Sequence, residues 1–169
     1  MAHWLVRLLK HRSLDETDAA RLLGNGALQR IEARVAASES QHSGEIRVCI
    51  EAGLPLSYIR REARVRERAV MMFGKLRVWD TEHNNGVLIY LLLAERQIEI
   101  VADRGINAHV APAQWATLLH GMRGAFKAGQ FEAGLMAAVD AIDALLSENF
   151  AATAQSANPN ELSDRPLLL

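Results

Sequence analysis

The stretch that decides the fold is WDTEHNNGVLIYLLLAERQIEIVADRGI, residues 79–106. Its centre holds two apolar runs, residues 87–94 and 98–101, which a short polar segment separates. Apolar runs of this length, rich in branched side chains and bounded by turn-forming residues, are typical of buried strands. The short connection between them predicts that the two strands pair as an antiparallel hairpin.

Two polar loops flank this hairpin, at residues 80–85 and 103–105. A hairpin returns the chain to its starting edge, so the two loops are expected to be neighbours. Hard divalent cations bind several carboxylate and amide oxygens together. The candidate ligands are Asp80, Glu82, Asn84, Asn85, Asp103 and, before an earlier strand, Glu45. The alternative is an ordinary solvated turn, because Asp, Asn and Gly favour turns in any case.

The segments on either side of the hairpin predict the rest of the fold. Residues 45–51 alternate strictly between apolar and polar side chains, as a strand with one buried face does. Helical spacing begins near Ser57 and again at Pro112, and a last helix follows Gly129. The last helix is predicted to bury Phe131, Leu135, Val139, Ile142 and Leu146, and the helix near Ser57 to bury Ile59, Ala63, Val70 and Phe73. The order ααβαββαα predicts an α/β fold, a three-layer α/β/α sandwich with a small mixed β-sheet and helices on both faces.

Three regions follow from this organisation. Residues 1–26 are predicted to form a basic amphipathic segment and a short helix, for which Ser13 and Glu16 have capping-box spacing. Residues 27–150 are predicted to form the α/β domain. Residues 151–169 are polar and small, so we expect a mostly disordered tail, with docking of the leucines at 167–169 as the alternative.

Composition restricts the classes of function. The chain has 169 residues, a formal net charge of −1 and 50% hydrophobic residues, so a nucleic-acid partner is not expected. The single cysteine, Cys49, excludes an internal disulfide and fits a reducing compartment. No convincing signal peptide or membrane-spanning run is evident, which favours a cytoplasmic location. Residues 1–12 combine three basic residues with Trp and Leu, and so predict docking on the domain or disorder, or contact with an anionic membrane or a partner.

Several short motifs, taken in order, resemble the TPM domain family, also described as thylakoid-lumen phosphatase-like. The matching pieces are Ser43 to Val48 (SGEIRV), Met72-Phe73-Gly74, Asn84 to Ile89 (NNGVLI), Glu99 to Ile106 (EIVADRGI) and the junction from Phe126 to Phe131. The resemblance covers about residues 27–148, and its specificity comes from the ordered set, because each motif alone is weak.

The resemblance implies a divalent-cation site, often for calcium, in acidic loops at one end of an α/β/α sandwich. It also implies either acid phosphatase activity or a role in maintaining or assembling membrane complexes. Applied to this chain, it assigns Ca²⁺, with Mg²⁺ or Mn²⁺ as alternatives, to the six candidate ligands. Many family members carry an additional Asp beside the Asn-Gly pair, where this chain has Asn84, and fewer charges weaken calcium affinity.

The sequence identifies no catalytic residue. The chain lacks a P-loop, a G-x-S-x-G sequence and an H-E-x-x-H sequence. His83 could donate a proton to a leaving group and Arg104 could hold a phosphate oxygen, yet both are also ordinary surface residues. We therefore predict a cation-binding interaction or maintenance module that serves a protein partner associated with a membrane. The alternative is a metal-dependent phosphatase that hydrolyses phosphate monoesters.

Overall fold

The chain folds into helices around a small sheet in a computed structural model that describes residues 2–152 and 160–169. The described residues form four strands: β1 (Ile46–Glu51), β2 (Val87–Leu92), β3 (Gln97–Ala102) and β4 (Leu167–Leu168). A 3₁₀ turn, Leu93–Glu95, joins β2 to β3. The helices are α1 (Ala2–Arg12), α2 (Glu16–Leu23), α3 (Ala27–Glu39), α4 (Leu56–Arg60), α5 (Val65–Lys75), α6 (Arg104–Asn107), α7 (Pro112–Lys127) and α8 (Phe131–Asn149).

The four strands form one mixed sheet in the order β3-β2-β1-β4. Strands β2 and β3 pair antiparallel with Val87 opposite Ala102, which confirms the predicted hairpin. Strand β1 pairs parallel with β2, with Ile46 opposite Val87, and α4 and α5 make the crossover between them. Strand β4 adds a short parallel pairing on the other side of β1.

Helices cover both faces of the sheet, so the predicted α/β/α sandwich is confirmed. Alternate side chains of β1 point to opposite faces, because the side-chain period of a strand is two. Ile46, Val48 and Ile50 pack with buried residues of α2, α3, α7 and α8. Cys49 packs with buried residues of α4 and α5 on the opposite face. The five residues predicted to face inward on the last helix are all buried in α8.

The helix predicted near Ser57 is two helices, because the chain breaks at residues 61–64. Glu62 has a left-handed backbone with φ of 53°, a conformation that no α-helix contains. Helix α5 restarts after Arg64, whose backbone amide donates to Glu67 Oε1 at 3.0 Å. The restart rotates the buried face, so Ala69 is buried and Val70, predicted to face inward, is 49% exposed.

The residue that caps the second helix also differs from the prediction. Helix α1 continues to Arg12, so Ser13 ends that helix and donates from Oγ to Lys10 O at 3.0 Å. Helix α2 begins two residues later with Asp15 as its N-cap, since Asp15 Oδ1 accepts from Asp18 N at 2.9 Å. Asp15 and Asp18 form the capping box that the sequence suggested for Ser13 and Glu16.

Helix α1 docks on the domain through one polar cluster. Arg7 Nε lies 2.8 Å from Glu95 Oε1, and His11 Nε2 lies 2.9 Å from the same oxygen. The other ring nitrogen of His11, Nδ1, accepts from Leu54 N at 3.0 Å. The hydrogen bond from His11, with that from Arg7, lowers the pKa of Glu95. These contacts fix α1 at the end of the sheet where β1 and β2 finish.

The tail differs from its prediction where the structure describes it. Residues 160–169, which we call the strap, lie along the free side of β1, whereas residues 153–159 fall outside the described part. Leu169 N donates to Ile50 O at 2.9 Å, and Ala52 N donates to Leu169 O at 2.8 Å. The strap is ordered because β1 otherwise leaves these backbone groups unpaired, and strand pairing satisfies them. The alternative expectation, docking of the leucines at 167–169, describes this arrangement.

Candidate functional site

The two polar flanks of the hairpin meet at one end of the sheet. Val87 N donates to Glu45 O at 2.8 Å, and Asp103 N donates to Gly86 O at 2.9 Å. Glu45, Gly86 and Asp103 therefore lie side by side just beyond the ends of β1, β2 and β3. Gly105 N donates to Asn84 O at 2.8 Å, which joins the two loops directly.

Gly86 allows the loop before β2 to fold closely over this row. A Cβ atom at position 86 would lie 2.0 Å from Val78 O, closer than any side chain can approach a backbone oxygen. A Cβ atom at Gly105 would likewise lie 2.5 Å from Asn84 O. The two glycines of the predicted loops are thus required for close backbone approach, which leaves Glu45 and Asp103 as the side chains of the row.

Glu45 is fully buried with half of its carboxylate paired. Its Oε2 accepts from Leu162 N in the strap at 3.0 Å. No described residue hydrogen-bonds to its Oε1. Burial raises the pKa of Glu45, because the charged form loses its hydration. A buried carboxylate oxygen without a donor is costly, and such an atom calls for an explanation.

Asp103 repeats this pattern two strands away. Its Oδ1 accepts from Arg104 N at 2.7 Å as the N-cap of α6, whereas its Oδ2 is buried without a hydrogen-bond partner among the described residues. Ile46 and Ala102 both pack on the α8 side of the sheet. Side-chain alternation therefore directs their neighbours Glu45 and Asp103 to the other face together. The result is two half-paired carboxylates on the same face, separated by a glycine.

The two asparagines hold the loop in shape. Asn85 is buried, and its Nδ2 donates to Ser43 Oγ at 3.2 Å while its backbone amide donates to Thr81 Oγ1 at 3.2 Å. Asn84 has a left-handed backbone with φ of 52°, and its Oδ1 accepts from Arg104 Nε at 3.0 Å. Both side chains are already engaged in hydrogen bonds within the protein.

Asp80 and Glu82 lie on the solvent side of the loop. Asp80 Oδ2 is 2.5 Å from Arg77 Nη2, an exposed ion pair within one turn of chain. Glu82 is exposed, and its backbone amide donates to the carboxylate of Glu161 in the strap. Within residues 2–152 and 160–169, no three His, Cys, Asp or Glu side chains form a group that could hold a metal ion. The six predicted ligands thus divide into three pairs: Glu45 and Asp103, which each keep one buried oxygen unpaired, the hydrogen-bonded Asn84 and Asn85, and the exposed Asp80 and Glu82.

Three further acidic residues lie near this end, and no sequence motif predicted them as part of the site. Glu39 ends α3, and its Oε1 accepts from Ile46 N at 2.7 Å. Burial raises the pKa of Glu39 to about 9, and the nearby carboxylates of Glu45 and Asp164 add to the shift. Glu161 and Asp164 belong to the strap, whose position depends on long-range pairing. Nothing in the local sequence pattern could place these residues beside Glu45.

A second polar cluster, Ser38, His42 and Asp143, contains the residue types of a hydrolase triad. Ser38 Oγ donates to Asp143 Oδ1 at 2.8 Å and lies 2.9 Å from His42 Nε2. A nucleophilic serine must reach substrate, but Ser38 and His42 are both 0% exposed. Burial lowers the pKa of His42 against the opposing effect of Asp143. The cluster therefore acts as a buried polar link between α3 and α8.

Comparisons with known proteins agree with this fold. The profile of the TPM domain matches residues 17–145. The solved structure of the BA42 protein from the psychrophilic bacterium Bizionia argentinensis superposes with a TM-score of 0.73 and 27% identity, covering 85% of this chain and 92% of that one. The N-terminal domain of a P. gingivalis protein superposes with a TM-score of 0.63 and 21% identity, covering 76% and 79% respectively, which shows the fold alone. No curated protein sequence matches the chain. No helix in the described parts is long and apolar enough to cross a bilayer.

Proposed function

Because the chain belongs to the TPM domain family, we propose that it is an interaction module whose loops bind a divalent cation between Glu45 and Asp103. One observation carries the proposal: each of these carboxylates has a buried oxygen that no described residue hydrogen-bonds. A cation bound between the two carboxylates would satisfy both unpaired oxygens at once. The other oxygen of each carboxylate already accepts a hydrogen bond.

The donor chemistry favours a hard cation, and calcium above magnesium. Carboxylate, amide and backbone carbonyl oxygens surround this end of the sheet, and Val78 O lies directly over Gly86. Calcium is coordinated by about six to eight such oxygens in irregular geometry, whereas magnesium requires a near-ideal octahedron of ligands. In this proposal Glu45 and Asp103 bind the ion from the sheet. Asn84 and Asn85 hold the loop in shape beside the ion, and Asp80 and Glu82 lie on the solvent side of that loop. Mn²⁺ is a third candidate ion.

Binding of the cation would couple the loop to the strap. Glu45 shares its carboxylate between the site and Leu162 N, and Glu82 N bonds to Glu161. Leu162 and Glu161 of the strap are therefore hydrogen-bonded directly to residues of the site, so a structural change at the site would move them. This coupling suits an interaction module, because cation binding would alter the surface of the loop and the strap to which a protein partner could bind. A partner associated with a membrane is the class that the family resemblance implies.

Hydrolysis of a phosphate monoester is the alternative activity of the same site. The observation that favours it is Arg104, an exposed guanidinium whose Nε bonds to Asn84 Oδ1 at 3.0 Å. A guanidinium beside a bound cation would hold phosphate oxygens while the metal polarises the ester and activates water. His83 lies exposed in the same loop and offers a proton donor.

Thermal melting with calcium, magnesium or manganese tests the cation site. We expect calcium to raise the melting temperature of the wild type, since a ligand at 100 times its Kd adds about 2.7 kcal/mol of stability. Glu45→Gln and Asp103→Asn should each abolish most of this shift, and Glu16→Gln, which removes an exposed charge on α2, should preserve it. A wild-type protein that shows no shift with any of the three ions at millimolar concentration would contradict the proposal.

The same variants separate the two functions. A phosphatase should hydrolyse a phosphate monoester only with the cation present, and Asp103→Asn and Arg104→Gln should both lose that activity. An interaction module should show the calcium shift without hydrolysis. Cation-dependent hydrolysis that survives Asp103→Asn would place the activity outside this site.

A further inference from the structure

The first helix, α1, has two apolar sides, and the domain covers only one of them. Its inner side docks through Arg7 and His11, and Leu8 packs against the core on the α5 face of the sheet. Its outer side exposes large apolar residues: Leu5 is 46% exposed, Val6 64% and Leu9 70%. Trp4 lies on the docked side, between His11 and Leu8 around the helix axis, and is 39% exposed.

Helix geometry arranges the outer residues as one stripe with a cation on each border. Successive residues of an α-helix are about 100° apart around its axis, so Leu5, Leu9 and Val6 span an arc of about 100°. On the same geometry, Arg12 lies about 20° beyond Leu5 and Lys10 about 40° beyond Val6. Lys10 and Arg12 are both exposed. An apolar stripe between two rows of positive charge is the pattern of a helix that lies in a membrane interface.

The helix next to α1 extends this surface with the same chemistry. Helix α4 packs against α1, and its Leu56 is 44% exposed. Arg60 and Arg64, at the end of α4 and the start of α5, are exposed as well. The cavity beside Trp4 has a mixed lining of four cations and three carboxylates: Arg7, Lys10, Arg64, Arg66, Glu62, Glu95 and Glu99. The exposed cations that border the apolar residues of α1 and α4 are therefore Lys10, Arg12, Arg60 and Arg64.

We propose that the outer face of α1, formed by Leu5, Val6 and Leu9 with Lys10 and Arg12, seats on an anionic lipid surface. The basic borders match the charge of anionic headgroups, and the apolar stripe matches the depth of the headgroup boundary. The contacts of Arg7 and His11 with Glu95 hold the helix flat on the domain, so the face is ordered before it meets lipid. Glu95 follows the far ends of β1 and β2, opposite the row of Glu45 and Asp103, so the lipid surface does not rest on the proposed cation site.

Vesicle sedimentation with the full chain tests this proposal. We compare vesicles of phosphatidylcholine alone with vesicles of equal parts phosphatidylcholine and phosphatidylglycerol, in chelator-treated buffer. The wild type should sediment with the anionic vesicles only and dissociate as salt rises.

Two paired variants identify the face. Val6→Ser combined with Leu9→Ser should weaken binding to the anionic vesicles at least about tenfold. The matched control, Leu22→Ser with Val70→Ser, removes two apolar residues that are exposed elsewhere, 45% and 49%, and should bind like the wild type. Lys10→Gln combined with Arg12→Gln should bind more weakly and lose most of the salt dependence. Melting without vesicles checks that each variant folds.

Three outcomes would overturn the proposal. Wild-type protein that fails to sediment with anionic vesicles would remove the lipid surface. Equal losses in the α1 variant and in its matched control would show a nonspecific apolar effect. Self-association in solution that Val6→Ser with Leu9→Ser abolishes would identify a second copy of the chain as the occupant of this face.

Discussion

The backbone amide of Leu162 donates a hydrogen bond to Glu45 Oε2 at 3.0 Å, although the two residues are 117 positions apart. Arg47 strengthens the same attachment, because its guanidinium donates to Ser163 O at 2.5 Å and also to Arg165 O. The strap is thus held to β1 by side chains at the site end and by strand pairing at the other end.

Replacing Arg47 tests how the strap is attached. Arg47→Met removes both of its hydrogen bonds, each worth about 1.5–3 kcal/mol when the donor is charged. We expect the amides of Leu169 and Ala52 to exchange with solvent at least about tenfold faster, while the amides of β2 keep their protection. Hydrogen exchange followed by mass spectrometry measures both. Arg60→Met, an exposed arginine on α4, is the control, and unchanged exchange in Arg47→Met would show that β4 pairing alone holds the strap.

Glu39 should make the protein less stable as pH rises. The folded state keeps the Glu39 proton up to about pH 9, whereas the unfolded chain releases it near its ordinary pKa of 4.5. The unfolded state therefore binds fewer protons across this window, and stability falls with rising pH by at most about 1.4 kcal/mol per unit. Glu39→Gln keeps an acceptor for Ile46 N and removes the titration. Denaturation in urea between about pH 6 and pH 8 should show a smaller decline in Glu39→Gln than in wild type.

Glu45 also has a raised pKa, so Glu39→Gln should reduce the decline without abolishing it. Glu16→Gln serves as the control for loss of an exposed carboxylate. A decline of the same size in Glu39→Gln and wild type would show that Glu39 is ionised in the folded protein.

Replacing a glycine by alanine should have opposite effects on stability at two positions in the last two helices. A Cβ atom at Gly134 in α8 would lie 2.7 Å from Phe126 Cζ, against a fully buried ring. Gly134→Ala should therefore destabilise the protein by about 1–3 kcal/mol through overpacking. A Cβ atom at Gly121 in α7 would meet no packed neighbour within 4 Å, so Gly121→Ala should stabilise the protein by about 0.5–1 kcal/mol. Thermal melting measures both signs, and a stabilised Gly134→Ala would show that Phe126 moves aside freely.

The buried Ser38 should matter for stability and not for chemistry. Ser38→Ala leaves Asp143 and His42 without their shared hydroxyl, at a cost of about 1–3 kcal/mol. Ser147→Ala is the matched control, since the contact of Ser147 Oγ with Asp143 Oδ1 is long, at 3.4 Å. We expect a lower melting point for Ser38→Ala alone, and no labelling of wild type by a fluorophosphonate. Labelling at Ser38 would contradict the buried position.

The fold could be predicted because its signals are local. Residues 45–51 alternate with the period of a strand, and the apolar runs of the hairpin have the length, branched side chains and flanking turn residues of buried strands. These two patterns placed three strands. The break at Glu62 could not be predicted, because a left-handed non-glycine residue leaves no mark on the apolar spacing. That break, in turn, rotated α5 and exposed Val70.

The site could be predicted only in part, for a related reason. Hairpin geometry correctly brought the loop of Asn84 beside Gly105, and β1 added Glu45 to the same edge. Side-chain roles within the loop depend on neighbours from distant segments, as when Arg104 bonds Asn84 and Thr81 bonds Asn85. Sequence patterns carry no information on such pairings, so they could not separate the half-paired carboxylates from the structural amides.

The strap also bears on where the folding unit ends. Similarity to the TPM domain stops at residue 145, yet residues 167–169 pair with β1 and Leu162 bonds Glu45. A protein shortened to residues 17–145 would leave the backbone of Ile50 open as a sheet edge. Open edges recruit strands from other molecules. The boundary of family resemblance and the boundary of a monodisperse domain are therefore different positions in this chain.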